Sequence, residues 1–280
     1  MNSYVSVDLL TSSSVLDISA TTDDTRLRLV VEAMSRIVDK LTNRHFFEFA
    51  QTRKFNGHGL THLLIPDLIS IDSSGLKTDD DVDRTFETTW ATTDYLLQPP
   101  NADPTTRGNS LSRPYSKLLV DPAGDEDIFP NGADLVQIAG KWGWWKHLNR
   151  ASETADAISS TTATSFSVST RSSIEFGHTL LIDTEQIYVS SYSGNTLTVI
   201  RGVNGTTAAT HSGGTAIDIY EYPGPIQEAV IILAARQWKR KDSAFASGVG
   251  FPDGSFLSFK HLDPDMRMLL SPYRKSALGN

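Results

Sequence analysis

The segment TDDDVDRTFETTW places Asp79, Asp81 and Asp83 at the alternating positions from which a calcium loop supplies its first carboxylates. Oxygen donors at that spacing suit a hard divalent cation. The rest of the loop departs from the pattern: Arg84 stands where the sharp turn needs glycine, and Trp90 where a bidentate glutamate belongs. The segment reads as a solvated acidic turn with weak cation affinity at most. The seven histidines, at 45, 58, 62, 147, 178, 211 and 261, include no H-E-x-x-H pair that would set two imidazoles on one helical face. His58 and His62 are four apart, but the glycines of NGHGLTH point to a turn, and surface or locally hydrogen-bonded histidine is the expectation.

Other chemistries drop out by composition. The chain has no cysteine, which excludes disulfides, thiolate nucleophiles and cysteine-held zinc or iron-sulfur. It carries no G-x-S-x-G elbow, no phosphate-cradling G-x-x-x-x-G-K-[ST] and no G-x-G-x-x-G. Carboxylates are numerous enough for a glycosidase pair, but spacing in sequence does not fix their separation in space. Asn204-Gly205-Thr206 matches a glycosylation acceptor and reads as a turn. The expectation is a chain that is not an enzyme, with no cofactor and no metal.

What remains is aromatic. In VQIAGKWGWW, residues 136–145, Trp142, Trp144 and Trp145 fall within four positions. Val136, Ile138 and a turn at Gly140 make a strand leading into the cluster. The tryptophans therefore read as strand-end anchors that fix the core or a neighbouring subunit, with a stacking platform for a sugar or base as the alternative.

The elements that must position these residues follow from periodicity. Thr22 is a good N-cap, followed by Asp23 and Asp24 at the positive end of a helix dipole. Leu27, Val30, Val31, Met34, Ile37, Val38 and Leu41 recur at helical spacing, with Arg28, Glu32, Ser35 and Asp39 opposite. FFEFAQTRKF, HLLIPDLISID, YLLQPP, KLLVDP and DLVQIAG read as short strands broken by Gly, Pro and Asp, and the polar stretch 101–113 as an exposed loop.

After the tryptophans the composition shifts to Ser, Thr and Ala. Ile187 and Val189, then Leu197 and Val199, alternate about an SGN turn as in a hairpin, so residues 152–218 read as an all-β insert. Helix returns at Pro225, with Ile226, Ala229, Val230, Leu233, Ala234 and the anchor Trp238 on one stripe. Arg236, Lys239, Arg240 and Lys241 close it favourably against its dipole. LDPDMRMLLSPYRK adds a short last helix and a basic tail. The expected fold class is α+β, a helical core with short antiparallel strands, interrupted once by a small all-β domain.

At 280 residues, 39% hydrophobic, the chain can bury a substantial core, in more than one domain. Its net charge of −8 argues against a broad phosphate-gripping face and suits a surface past which nucleic acid slides. The N-terminal stretch lacks the basic and apolar regions of a signal peptide, and no segment is long and apolar enough to span a bilayer, so no membrane partner is expected.

In their order, DDTRLRLVVEAMSRIVDKLTNRHF, LLIPDLISID, VQIAGKWGWW, PIQEAVIILAARQWKRKDSAF and LDPDMRMLLSPYRK resemble the head-to-tail adaptor (head completion) proteins of tailed bacteriophages. The likeness covers residues 4–145 and 223–275, and the insert is similar to small β modules of phage structural proteins. The resemblance implies an adaptor core over residues 1–151 and 219–261, the insert at 152–218 and a portal-docking segment at 262–280. Leu262, Met266, Arg267, Leu269, Leu270, Tyr273, Arg274 and Lys275 would then meet the portal protein. It further implies a virion protein of the neck, assembled in the host cytoplasm as a dodecameric ring. That ring would bind the next neck or tail-completion protein and let double-stranded DNA pass without sequence-specific contact. Through the insert it would reach capsid or fibre. The alternative is a receptor- or glycan-binding neck or tail component acting through the insert.

Overall fold

The computed structural model describes residues 2–12, 14–18, 24–106, 112–243, 248–250, 256–258 and 264–275. The expected N-cap Thr22 and Asp23 lie outside them, as does Leu262. The chain divides into two compact units: Met1–Arg44, Asn149–Val203 and Ala208–Asn280 form one, and His45–Leu148 with Asn204–Thr207 form the other.

The second of these is built on six antiparallel strands: β1 (Phe49–His58), β2 (His62–Thr78), β3 (Thr88–Thr89), β4 (Tyr95–Gln98), β5 (Tyr115–Val120) and β6 (Asn131–Trp142). Their order is β1-β6-β2-β5-β4, with β3 added to β2. Along β6, Val136, Ile138 and Trp142 alternate inward onto Leu68, Leu76, Leu118 and a Trp90–Phe129 stack whose centroids are 4.7 Å apart.

The first unit carries the other sheet, β7 (His147–Ala155), β8 (Ser165–Ser167), β9 (Thr179–Ile182), β10 (Glu185–Ser193), β11 (Thr196–Ile200) and β12 (Thr215–Glu221), in the order β7-β12-β9-β10-β11-β8. Ala155 bridges Val168, just past β8, and the flanking bonds Asp156 N–H to Ser167 O (2.9 Å) and Ser169 N–H to Thr154 O (3.0 Å) complete the junction. The two ends of the strand order thus meet and close a small barrel around Ile174, Leu180, Ile182, Ile187, Leu197 and Ile217. The same unit holds helices α1 (Val7–Thr11), α2 (Asp24–Thr42), α3 (Gly224–Lys239) and α4 (Pro264–Leu270), and the strand pair β13 (Gly248–Gly250) and β14 (Phe256–Ser258).

The structure corrects the expected fold class. The chain is mostly β, 38% strand against 23% helix, with two antiparallel sheets of six strands each, and is not a helical-core α+β fold. The Pro, Asp and Gly residues taken as strand breaks explain the misreading. Strand β2 runs unbroken for 17 residues through Pro66 and Gly75. Its register slips between Leu64 and Leu68 against β5, and between Ile71 and Leu76 against β6. Bulges absorb the residues that a regular ladder would reject.

Closing so small a barrel buries charge. Glu185 is fully buried and faces five donors or ring nitrogens: Arg201 Nε (2.7 Å) and Nη2 (2.6 Å), the backbone N–H groups of Gly202 (3.0 Å) and Ala209 (3.0 Å), and His211 Nε2 (2.8 Å). Burial alone would raise its carboxyl pKa. Arg201, the Ala209 N–H, His211 and the Gly202 N–H overcome that and hold it at about 2. This lies below the roughly 4.3 of a free glutamate, so the contribution is complete above that value and is lost as pH falls toward 2. Glu185→Gln is expected to destabilise this unit by about 3–5 kcal/mol at pH 7, because Arg201 stays buried without its countercharge. It should also flatten the fall in stability below pH 4.5. Urea unfolding followed by circular dichroism at pH 7 and pH 3 checks both, and an unchanged midpoint at pH 7 would overturn the assignment.

Candidate functional site

Helix α2 is rolled away from the orientation its apolar pattern suggests. Its buried residues are Leu27, Val31, Ser35, Val38, Asp39 and Thr42, so Ser35 and Asp39, expected on the solvent side, point inward. The N-terminal segment is the cause. Residues 2–7 and Leu10 are buried, and they put hydrogen-bonding groups against this face. The Tyr4 N–H donates to Ser35 Oγ (3.1 Å), and the Tyr4 hydroxyl donates to Asp39 Oδ1 (2.5 Å). Arg36 pairs with Asp39 Oδ2 at 3.2 Å, donates to Asn2 O at 3.2 Å and lies over the Tyr4 ring.

The same segment ties into the barrel. Val7 N–H donates to Phe176 O (2.8 Å), Ser6 Oγ to Glu175, and Thr179 Oγ1 to Asn2 Oδ1 (2.9 Å). Beside it His178 Nδ1 accepts from the Glu175 N–H (3.1 Å), and burial pushes the imidazole pKa down against the opposing pull of Glu175 and Asp8. Ser6 donates to the Glu175 carboxylate and His178 Nε2 lies 3.7 Å from it, so the carboxylate ties the N-terminal segment to the barrel.

Satisfying polar groups on one face turns apolar ones outward. Leu29 (55% exposed), Ala33 and Ile37 (39% exposed) form an i, i+4, i+8 row on the outside of α2, with Val30, Met34 and Leu41 half-buried beside it. Helix α3 buries Ile226, Ala229, Val230, Ala234 and Trp238, yet Ile231, Ile232 and Ala235 stay half-exposed on its other side. A helix apolar all round is ordinarily covered on every face. The helical unit therefore presents two distinct apolar surfaces, one on α2 and one on α3, that its own fold leaves partly open.

The C-terminal segment sits on the helices of its own unit. Met266 and Leu270 are buried, Leu269 and Tyr273 half-buried, and Arg267, Met268 (69% exposed) and Arg274 face solvent. Lys275 N–H donates to Thr42 O (2.8 Å) and Arg44 Nε to Tyr273 O (2.6 Å), fixing the segment to the end of α2. Trp238 is buried, with Lys241 and Arg26 over its ring at 3.7 Å and 5.8 Å.

The tryptophans of β6 and beyond belong to the other unit and have different surroundings. Trp142 is fully buried, its indole donating to Gln51 O (2.7 Å). Trp144 is half-buried beside Phe46 and Trp145 half-buried and stacked on His147, with centroids 6.2 Å and 3.7 Å apart. Gly143 between them has φ +136°, and a Cβ there would lie 2.2 Å from Phe47 O, so only glycine allows this turn.

One acidic group could hold a cation: donor atoms of Asp79, Asp81, Asp83 and Glu87 lie within 4.8 Å of one another. Asp79, however, is buried and already accepts the N–H groups of Val82 (2.8 Å), Asp83 (3.2 Å) and Arg84 (2.8 Å), so the turn holds together through its own backbone.

Sequence reasoning missed the buried network of Glu185, Arg201 and His211, in which His211 Nδ1 also lies 2.7 Å from Asp183. The available signal was a charged residue at each end of apolar β10–β11, followed by a histidine ten residues after Arg201. It missed the polar face of α2 entirely, since Ser and Asp at helical spacing look like solvent residues. No protein family, curated protein or solved structure matches the chain.

The two aromatic positions differ in a measurable way. Trp142→Ala should cost about 3–5 kcal/mol through the cavity and the lost indole bond, while Trp144→Ala should cost about 1–2 kcal/mol. Guanidinium unfolding of both variants checks the order, and equal losses would contradict the burial difference.

Proposed function

We propose that the chain is a structural subunit of a tailed-bacteriophage neck. In this reading it forms a ring that docks on the portal, connects the DNA-filled head to the tail and leaves a channel for double-stranded DNA. The observation that carries the reading is the pair of apolar surfaces on α2 and α3 within one unit. Two different patches that meet between successive copies make a head-to-tail contact, and such contacts close into rings when the rotation allows. Covering Leu29 and Ile37 would contribute about 1–3 kcal/mol each by area alone.

The order of sequence segments that resembles adaptor proteins supports the virion setting, and the C-terminal segment would supply the docking element. Met266 and Leu270 seat α4 on its own unit, so Arg267, Met268 and Arg274 are offered outward from a fixed base to the portal. The next neck protein would bind elsewhere on the ring, and the barrel of residues 147–221 is available to capsid or fibre. A net charge of −8 weakens adhesion of DNA to the channel wall.

Light scattering on the purified chain, alone and with portal particles, tests this reading. Leu29→Glu with Ile37→Glu should abolish ring mass while leaving the melting temperature within a few degrees, because both side chains are exposed in the subunit. Arg267→Glu with Arg274→Glu should permit folding and prevent portal binding. Deletion of the segment is a poorer test, since it would uncover the helices against which Met266 and Leu270 pack. Full assembly and portal binding by both double variants would overturn the proposal.

A further inference from the structure

The edge strand β1 borders an open cavity of about 460 Å³ lined by every second residue from His45 to Arg53, together with Asn204 and Gly205 of the same unit. His45, Phe47 and Phe49 form a mutual cluster with centroids 5.4, 5.5 and 5.6 Å apart. The Arg53 guanidinium lies over both Phe49 (5.0 Å) and Trp142 (4.6 Å), and its Nε donates to Gln51 Oε1 (2.9 Å). That bond orients the Gln51 amide with its NH2 group free to donate, and the terminal nitrogens of Arg53 have no hydrogen-bond partner among the described residues.

The cavity's far wall is held by a close backbone approach. Gly205 has φ +80°, and a Cβ there would fall 2.1 Å from Ala50 O, so segment 204–207 reaches the strand only because glycine occupies this position. It brings the Asn204 side chain to the rim.

We propose that this cavity binds a neutral saccharide unit. Ring faces carry partial negative charge and attract the weakly positive C–H face of a pyranose. Gln51 and Arg53 offer planar donors and acceptors to its hydroxyls. An apolar wall with a few convergent polar groups is the composition of a small-ligand site. Nucleic acid fits less well. Tracking a phosphate backbone takes several cations, whereas Arg53 is the one permanent positive charge among the described lining residues, on a chain of net charge −8. The site is independent of ring assembly, because none of its lining residues belongs to α2, α3 or α4.

The full-length chain is screened on an array of neutral oligosaccharides built from hexose, N-acetylhexosamine and deoxyhexose units, and the best binder is titrated against tryptophan fluorescence. Trp142 lies beneath Arg53 but is one of five tryptophans, so calorimetry on the same pair measures the affinity independently. Phe47→Ala and Gln51→Ala, neither fully buried, should each weaken binding at least about tenfold, with the melting temperature unchanged for Gln51→Ala and lowered by only a few degrees for Phe47→Ala. No binder on the array, or an affinity untouched by both variants, would overturn the proposal. So would a single-stranded oligonucleotide that binds in place of sugar and loses affinity in the same variants. Ring mass measured on the same samples should not change, which separates failure here from failure of the assembly reading.

Discussion

The hydrogen bonds from Tyr4 to Ser35 and Asp39 decide which face of α2 looks inward, and the apolar surface that α2 turns outward depends on that choice. Buried polar groups need partners, whereas an apolar side chain left in water costs only its own transfer free energy. Once residues 2–7 supply donors at 2.5 and 3.1 Å, the row Val31–Ser35–Asp39 becomes the inner row and Leu29–Ala33–Ile37 the outer one. A helix placed by apolar contact alone would have hidden the latter row. Helix α2 thus keeps a defined orientation through polar bonds and leaves apolar area on the outside of its unit.

The barrel shows the same economy of polar groups at smaller scale. Glu185 gathers the turn at Gly202 and Ala209, and Glu153 gathers the turn at Ser172 and Ser173 by accepting both of their N–H groups (2.5 and 2.6 Å). Burial alone would raise the Glu153 carboxyl pKa, but the Ser173 and Ser172 donors reverse that and hold it at about 2. In each case one carboxylate satisfies loop donors that strand pairing leaves over, and the apolar interior can then close. Gly202 and Ala209 also flank the short segment 204–207, which contributes Asn204 and Gly205 to the saccharide cavity.

Local pattern was legible where one element answers to one rule. The helix read from Asp23 to Leu41 is α2 at Asp24–Thr42, and the hairpin about SGN is β10 and β11. Strand β6 was visible in DLVQIAG for the same reason, since Val136, Ile138 and Trp142 keep a strict alternation. Properties that depend on distant partners were not legible. Bulges carry β2 past Pro66 and Gly75 only because β5 and β6 accept shifted registers, so five short runs became one long sheet and the fold class was misjudged. Of the candidate site, the tryptophans and the Met266–Lys275 segment were legible as positions. The inward roll of Ser35, the Glu185 network and the His45–Arg53 cavity arise from pairings that no window of sequence contains.

In the proposed ring, these features bear on how a subunit would avoid indiscriminate association before it assembles. Exposed apolar rows invite indiscriminate association, and two devices oppose it here. Charge is one: Arg28, Glu32, Arg36 and Lys40 share α2 with the outer row, and the whole chain carries −8, so copies repel at distance and approach only where apolar surfaces match. Difference between the patches is the other. The α2 row is exposed at Leu29, Ala33 and Ile37, whereas Ile231, Ile232 and Ala235 on α3 are half-buried. A two-fold contact between like faces would leave the other face in water, whereas the proposed head-to-tail contact of α2 on α3 would cover both in every copy.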